Sequence, residues 1–371
     1  MAIVSYSHVK RVSISRKNIQ RFNSNIRQSP FPITSSTALK DYWSSLSVYE
    51  RTEITNYTHI YFLGEKAEKL EPPFTDAETY YITVAGDQIA YRYEVIEEIG
   101  RGAFGKALRC YDHRSSQQVV LKILKKSNEE MGENELKALE KLKDSKFVVK
   151  MYSHFWFRDH LCFVLEVLDQ SLFQYMASLE DDKVPSLKMI RNISENLLEG
   201  LNSIHQRGMA HADVKPDNIL FADRSKRSVK LADLGTVAVF GHTNYTYLQS
   251  RHYRAPEVVL GMSYTQAIDM WSLGCVLYEL FTVSVLFPAQ SEDELLSMFC
   301  DVLGPPPAFM AAPRRMRAKS ERSDSHIGFL LKDANMLFRD FLQMLLQWDP
   351  DSRPTAEQAL QHDWIKLKYT K

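Results

Sequence analysis

The sequence predicts an α+β protein in two lobes: a small β-rich lobe, then a larger and mainly helical one, with a separate segment ahead of both. Three observations predict it. From Tyr80 to Leu168, short apolar runs alternate with polar residues and are broken by glycine and turn residues, the period of half-buried strands. From Lys188 onward, apolar residues recur at helical spacing, as at Ile190, Ile193, Leu197, Leu201 and Ile204. Ahead of the strands, Asp41 to Lys69 concentrates Tyr42, Trp43, Tyr49, Tyr57, Tyr61 and Phe62, more aromatic surface than an unpacked arm can leave in water.

Composition narrows the class. A chain of 371 residues, 44% of them apolar, has material for roughly two domains with packed cores. A formal net charge of +0 argues against bulk nucleic-acid binding. Cys110, Cys162, Cys275 and Cys300 form no C-x-x-C pair, which suits a reducing compartment without zinc or disulfides. The most apolar stretch, Trp271 to Ala289, follows Asp269 and contains Glu279 and Pro288, so it reads as a buried core helix and not a membrane span. The first residues lack a secretory pattern. We expect a soluble monomer of the cytoplasm, the nucleus or both, with no nucleic-acid or membrane partner.

In order, residues 1–38 form a basic arm with Lys10, Arg11, Arg16, Lys17, Arg21 and Arg27, expected to be solvated and disordered. Residues 39–92 form an accessory segment that packs on the small lobe. Within it His59 to Gly64 reads as a short strand, and Glu71-Pro72-Pro73-Phe74 as extended linker. Residues 93–168 make the small lobe and hinge. There Tyr91 to Ile96 and Leu108 to Tyr111 flank a glycine-rich turn, Gly100-Arg101-Gly102-Ala103-Phe104-Gly105. Val119 to Leu124 is a buried strand holding one lysine, Lys122. Glu129 to Lys143 is a helix with Glu135, and strands follow at Val148 to Phe157 and His160 to Leu168. Residues 169–364 form the larger lobe, with helices at Lys188 to Gln206, Asp269 to Phe281, Glu292 to Leu303, Ala334 to Gln347 and Ala356 to Gln361. A short strand pair, Ile219 to Phe221 and Val229 to Leu231, interrupts them. A surface insert carries Pro305 to Pro307 and Arg314-Arg315-Met316-Arg317, and residues 365–371 are a tail.

The chemistry centres on His211-Ala212-Asp213-Val214-Lys215-Pro216-Asp217-Asn218. Pro216 forbids a helix through it, so it is a loop that presents a carboxylate, an ammonium and an amide oxygen together. Phosphoryl transfer needs that set: a carboxylate for the hydroxyl proton, a cation on the transferring phosphate and an oxygen ligand for Mg²⁺. A polar surface turn is the bland alternative, and its neighbours in the sequence decide. A G-x-G-x-x-G alone is weak, but here it joins two strands and not a strand and a helix, and its glycines let the backbone come close to phosphates. Lys122 would be costly to bury unpaired, and Glu135 is its natural counter-ion. Asp233 opens a D-x-G after a strand, where a carboxylate can meet the metal bridging the phosphates. Ala255-Pro256-Glu257 closes the following loop, and Arg353 is a candidate bidentate partner for Glu257.

These parts, in this order, resemble the eukaryotic protein kinase domain. Val258-Val259-Leu260-Gly261 after Tyr253-Arg254 is similar to the group of cyclin-dependent, MAP and splicing-factor kinases. Tyr245-Thr246-Tyr247-Leu248-Gln249-Ser250-Arg251, Ile89 to Glu94 and Asp112-His113 resemble the dual-specificity tyrosine-regulated kinases. Tyr49-Glu50, Glu53-Ile54 and Ile60 to Gly64 resemble the accessory region of that family's class II members. The likeness covers nearly everything after about residue 39.

The resemblance implies ATP and Mg²⁺ as cofactors and protein Ser/Thr hydroxyls as substrates, with proline favoured just after the target. It implies Asp213 as catalytic base, Lys215 on the phosphate, Asn218 and Asp233 as metal ligands, and Lys122 with Glu135 as the ion pair of the active state. The Gly100 to Gly105 turn then covers the phosphates. Glu166 and Leu168 grip adenine through their backbone, Leu165 is the gatekeeper, and Ala107 and Val120 enclose the base. It also implies autophosphorylation of Tyr247, for which Arg251 and Arg254 are the nearest guanidinium partners.

Five positions depart from the common kinase pattern. Ala212 replaces the arginine of the common His-Arg-Asp, which this family usually lacks as well, so activation does not run through a guanidinium there. Leu234 replaces a phenylalanine, and Ala107 with Val120 swaps the usual sizes around the base. Asp217 replaces a glutamate that selects an upstream arginine in substrates. Two other classes stand beside an active protein kinase. One is a pseudokinase scaffold, opposed by the full set of carboxylates and lysines. The other is a small-molecule phosphotransferase, opposed by the loop ending at Glu257 with Arg353 behind it.

Overall fold

The computed structural model describes residues 30–180, 183–239, 248–311, 331 and 334–367. The described chain forms two compact units, one of residues 30–136 and 150–167, the other of 137–149 and 168 onward.

The smaller unit is built on a six-stranded antiparallel sheet, β1 (Gln88–Ile89), β2 (Tyr93–Gly102), β3 (Gly105–Asp112), β4 (Gln117–Leu124), β5 (Met151–Phe157) and β6 (His160–Leu165), in the order β1-β2-β3-β4-β6-β5. Val119, Leu121 and Ile123 alternate into its core with Leu108, Cys110, Cys162 and Val164, as period-2 patterning requires. The strand expected from Val148 starts at Met151, because Val148 and Val149 instead pair with Leu231 of the larger unit. The glycine-rich stretch is mostly strand. Gly102 pairs directly with Gly105, so only Ala103 and Phe104 make the turn.

The aromatic segment does pack, through two helices that the sequence reading lacked. These are α1 (Ser35–Asp41), capped by Thr34, and α2 (Val48–Glu53), which has a Ser47–Glu50 capping box. Helix α1 begins inside the stretch read as the basic arm and buries Ala38 completely. The strand expected over His59 to Gly64 is a single Ile33–Ile60 bridge; Tyr61 and Phe62 donate instead to the Tyr91 carbonyl at 2.8 and 3.1 Å. One rung is too little to zip a strand.

Charges fasten this segment to the sheet. Glu53 takes two hydrogen bonds from Arg158, of 3.0 and 2.9 Å, and Arg158 stacks its guanidinium 4.0 Å from the Phe74 ring centroid. Glu50, 1% exposed, accepts from Lys69 at 3.1 Å and Gln88 at 2.9 Å. Deleting residues 1–80 strips Arg158 of its anions and Tyr91 of its cover. We expect lower soluble yield and a Tm at least about 5 °C lower than the full chain in differential scanning calorimetry. An unchanged Tm would show the segment to be dispensable.

The larger unit is helical. It includes α4 (Leu172–Ala177), α5 (Leu187–His205), α6 (Pro256–Val259), α7 (Ala267–Thr282), α8 (Glu292–Leu303) and a helix at Met336–Leu345, all after α3 (Glu129–Lys141) in the chain. Trp271, Phe287, Phe299 and Trp348 stack around α7. The Glu279 that interrupts the apolar run is fully buried and accepts from the Tyr253 hydroxyl at 2.7 Å, so α7 is a core helix. Among the described residues no helix is long and apolar enough to cross a membrane. Residues 1–29, the Arg314 to Arg317 run and the 368–371 end of the tail lie outside the described residues.

Candidate active site

In the smaller unit, strand register assembles one face of the sheet. Ala107 faces both Gly100 and Lys122, and Lys122 faces Phe163, so these four form a cross-strand row. The adjacent row is Arg109, Val120 and Leu165. Ala107, Val120 and Lys122 are half-buried while the residues alternating with them are core. Lys122 Nζ donates to Glu135 Oε1 at 2.5 Å, and Glu135 is buried. Glu135 lies on α3 (Glu129–Lys141), which packs closely enough on β4 that a Cβ on Gly132 would lie 2.3 Å from Leu124 Cδ1.

The glycines of the hairpin are not equivalent. At Gly105 a Cβ would stand 2.2 Å from the Ile123 carbonyl oxygen, so close strand approach demands glycine there. At Gly102 a Cβ would meet nothing within 4 Å. Arg101 pairs with Glu98 at 3.1 Å. At the end of β6, the Glu166 N–H donates to the Lys150 carbonyl at 3.0 Å, which leaves any adenine contact to its carbonyl.

In the larger unit, the Asp213 carboxylate gathers four donors. Oδ1 accepts from the Ser250 N–H at 3.0 Å and hydroxyl at 2.8 Å; Oδ2 accepts from Lys215 Nζ at 2.7 Å and Asn218 Nδ2 at 3.0 Å. Lys215 also donates to the Ser250 hydroxyl at 2.9 Å. Carboxylate, ammonium and amide therefore converge as the loop sequence predicts. Ser250 was not foreseen, because nothing local ties it to a residue 37 positions earlier.

The loop's shape is imposed from below. Fully buried Asp269, at the start of α7, accepts from the backbone N–H groups of His211 at 2.8 Å and Ala212 at 2.9 Å, and from His205 Nε2 at 2.9 Å. Burial alone would raise the Asp269 pKa; the bonds from His205 and the Ala212 N–H outweigh it and hold the group below its usual value. Ala212, which stands where the common kinase pattern has an arginine, sits at φ +61°, a left-handed conformation that disfavours most side chains. His211 accepts the Asp213 N–H at Nδ1 (3.3 Å), so Nε2 is assigned the proton that meets the Ala232 carbonyl at 3.1 Å.

The donor set suits a hard divalent cation. Asn218 spends its amide N–H groups on Asp213, which orients its side-chain oxygen as the group left to ligate. Its backbone carbonyl accepts from the Ala232 N–H at 2.9 Å, which ties it beside Asp233. Asp233 is left-handed (φ 59°, ψ 77°), and one carboxylate oxygen accepts from Gly235 N at 3.4 Å. One amide and one carboxylate oxygen are donors that a hard divalent cation would accept. The described residues hold no group of three or more His, Cys, Asp or Glu placed for a metal. Leu234, in place of the expected phenylalanine, is fully buried.

Behind the site, Arg353 and Glu257 form the expected clamp, with bonds of 2.7 and 2.8 Å between side chains that are both 0% exposed. Arg254 is committed to the loop backbone: Nε donates to the Leu248 carbonyl at 2.9 Å and Nη2 to the Gln249 carbonyl at 2.8 Å. Gln249 is left-handed at φ +65°. Arg251 donates to the Gln290 carbonyl at 2.8 Å, and its buried Nε has no partner among the described residues. Tyr247 lies outside the described residues.

The sequence has counterparts among known proteins. A family model described as "Protein kinase domain" matches residues 93–365. The chain is 39% identical over 366 residues to human "Dual specificity tyrosine-phosphorylation-regulated kinase 4", covering 90% of this chain and 70% of that protein. It is 35% identical over 384 residues to "Dual specificity tyrosine-phosphorylation-regulated kinase 3" of Macaca fascicularis, covering 90% and 67%. It is 37% identical over 357 residues to "Serine/threonine-protein kinase ppk5" of Schizosaccharomyces pombe, covering 86% and 43%.

Proposed function

We infer the reaction from one premise: the chain belongs to the protein kinase family, within the dual specificity tyrosine-phosphorylation-regulated kinases. It is a serine/threonine protein kinase that uses ATP and a divalent metal ion. The observation that carries the mechanism is the Asp213 carboxylate with Lys215, Asn218 and Ser250 on it. Asp213 orients the attacking hydroxyl and accepts its proton. Lys215 stabilises charge on the transferring phosphoryl group, and Lys122, set by Glu135, steadies the nucleotide phosphates. Ser250 keeps the carboxylate aimed until substrate replaces it. Asn218 and Asp233 would hold Mg²⁺, which supplies charge neutralisation for the phosphates. Glu166 and Leu168 would bind the adenine edge, with Leu165 as gatekeeper.

The test is transfer of radiolabelled phosphate from ATP to a basic protein substrate. Lys122→Arg moves the charge off the phosphates, and Asp233→Asn removes a charged metal ligand. Each is expected to lose at least about 10²-fold in kcat with the fold intact. Near-normal turnover in either would end the assignment. We further propose that the substrates carry proline directly after the target and that the kinase acts as a monomer in the cytoplasm or nucleus. The left-handed Gln249 supports the proline preference, because its carbonyl is turned onto Arg254 and cannot reward an N–H in the substrate. In a peptide library, proline should be enriched at that position; no enrichment would refute it.

Tyr247 is proposed as a site of autophosphorylation. Arg254 is already committed to the carbonyls of Leu248 and Gln249 and to Glu292, so Arg251, whose buried Nε has no partner among the described residues, is the guanidinium that supports this reading, for a phosphate of about −1.5 to −2 charges. Peptide mapping of protein made in bacteria should find phosphate on Tyr247 in the wild type and none in Asp213→Asn. Unmodified Tyr247 in a fully active preparation is the contrary result.

A further inference from the structure

We propose that Tyr80, upstream of the matched kinase domain, is a positioning residue that sets the glycine-rich hairpin for ATP. The proposal deepens the kinase reading and rests on it. The turn of the hairpin has three consecutive carbonyls, and each meets a donor. Tyr80 Oη donates to the Gly102 carbonyl at 2.8 Å, Asn128 Nδ2 to that of Ala103 at 3.2 Å and the Lys125 N–H to that of Phe104 at 2.9 Å. Carbonyl oxygens aimed at a polyphosphate would repel it. Tied back, they leave the N–H groups of the turn as the side presented to an anion.

Tyr80 is the one of the three donors that lies outside residues 93–365. The β3 side of the turn is held by the close approach of Gly105 to β4, whereas around Gly102 a Cβ would find no atom within 4 Å. Beyond the hairpin's own pairing, the Tyr80 hydroxyl is what holds the β2 side.

The ring has a second use. Tyr80 is 6% exposed, and three cations surround its ring: Lys125 Nζ at 4.0 Å from the centroid, the Arg101 guanidinium at 4.9 Å and Lys106 Nζ at 5.6 Å. Glu98 pairs with two of them, Arg101 at 3.1 Å and Lys106 at 3.5 Å. The quadrupole of the ring offsets the remaining repulsion and keeps the positive charges together at the hairpin.

The tyrosine is itself held in place. Asp76 Oδ1 accepts its N–H at 2.9 Å, and Asp76 N–H donates to its carbonyl at 2.9 Å. Neighbouring Thr79 accepts the Lys126 N–H at 3.1 Å and shares a 2.9 Å hydroxyl bond with Ser127. The Asp76–Tyr80 turn is therefore strapped to the end of β4.

The test is Tyr80→Phe in the full chain, which deletes the hydroxyl and keeps the ring. Removing one neutral hydrogen bond is expected to raise the KM for ATP roughly three- to ten-fold and to weaken binding of a non-hydrolysable ATP analogue equally, measured by calorimetry. kcat and the KM for protein substrate should stay within about two-fold, a split that a general loss of structure would not produce. Tyr80→Leu, which also removes the ring, should weaken ATP further. Unchanged ATP affinity in Tyr80→Phe, or a fall in kcat alone, would overturn the proposal while the wild type still transfers phosphate. A wild type that binds the analogue but transfers nothing would instead sink the kinase reading, and calorimetry would still decide the role of Tyr80.

Discussion

Asp213→Asn is expected to lower kcat for phosphoryl transfer by about 10²–10⁴-fold, the range lost with a positioned general base, while Tm shifts by less than about 3 °C. The geometry explains both halves. The carboxylate accepts from Lys215, Asn218, the Ser250 N–H and the Ser250 hydroxyl, so both its oxygens are saturated. An asparagine of the same shape keeps one acceptor oxygen but presents an NH₂ to two of those donors. It also cannot take a proton. The loop should still fold, because its backbone hangs from Asp269 and not from Asp213. Steady-state kinetics with circular dichroism and thermal melts separate the two effects. Retention of more than a tenth of wild-type kcat would show that proton acceptance lies elsewhere.

Arg353→Met is expected to have the largest effect on stability. All five guanidinium N–H groups are used: two on Glu257, and one each on the carbonyls of Gln347, Ala267 and Trp348. The guanidinium also lies 5.1 Å from the Trp271 ring centroid. Removing it leaves a fully buried carboxylate without its counter-charge, a loss of about 3–5 kcal/mol. For a domain of this size that corresponds to a Tm lower by roughly 10 °C. The cost is that of an orphaned charge, so pairing Arg353→Met with Glu257→Gln should recover part of the loss. Calorimetry of the single and double variants tests this; a single variant that melts within 2 °C of wild type would show the clamp to be dispensable.

Much of the candidate site was legible because its chemistry is local. Asp213, Lys215 and Asn218 lie within six consecutive residues around a proline, so spacing alone brings them to one loop, and the structure converges them on one carboxylate. Lys122 announced itself as a charge in an apolar strand, and of the several acids on the following helix the structure pairs it with Glu135. The two helices of the accessory segment were missed because aromatic density masked short capped turns. Their Thr34 and Ser47 caps were the available signal.

The sequence by itself determined the α+β class, the order of the main strands and helices beyond the accessory segment, the hairpin position and the identity of the loop acids and bases. Those follow from residue period, turn chemistry and spacing along the chain, which any folded form of it must respect. Only the tertiary structure decided which distant residues serve them. Ser250 reaches Asp213, Asp269 carries the backbone of His211 and Ala212, α3 packs closely on β4 at Gly132, and Tyr80 holds the hairpin from outside the kinase match. Each of these contacts joins positions that no local pattern connects. It exists because packing brings the partners within hydrogen-bonding or van der Waals reach, where an unmet buried polar group or an extra methyl group is costly.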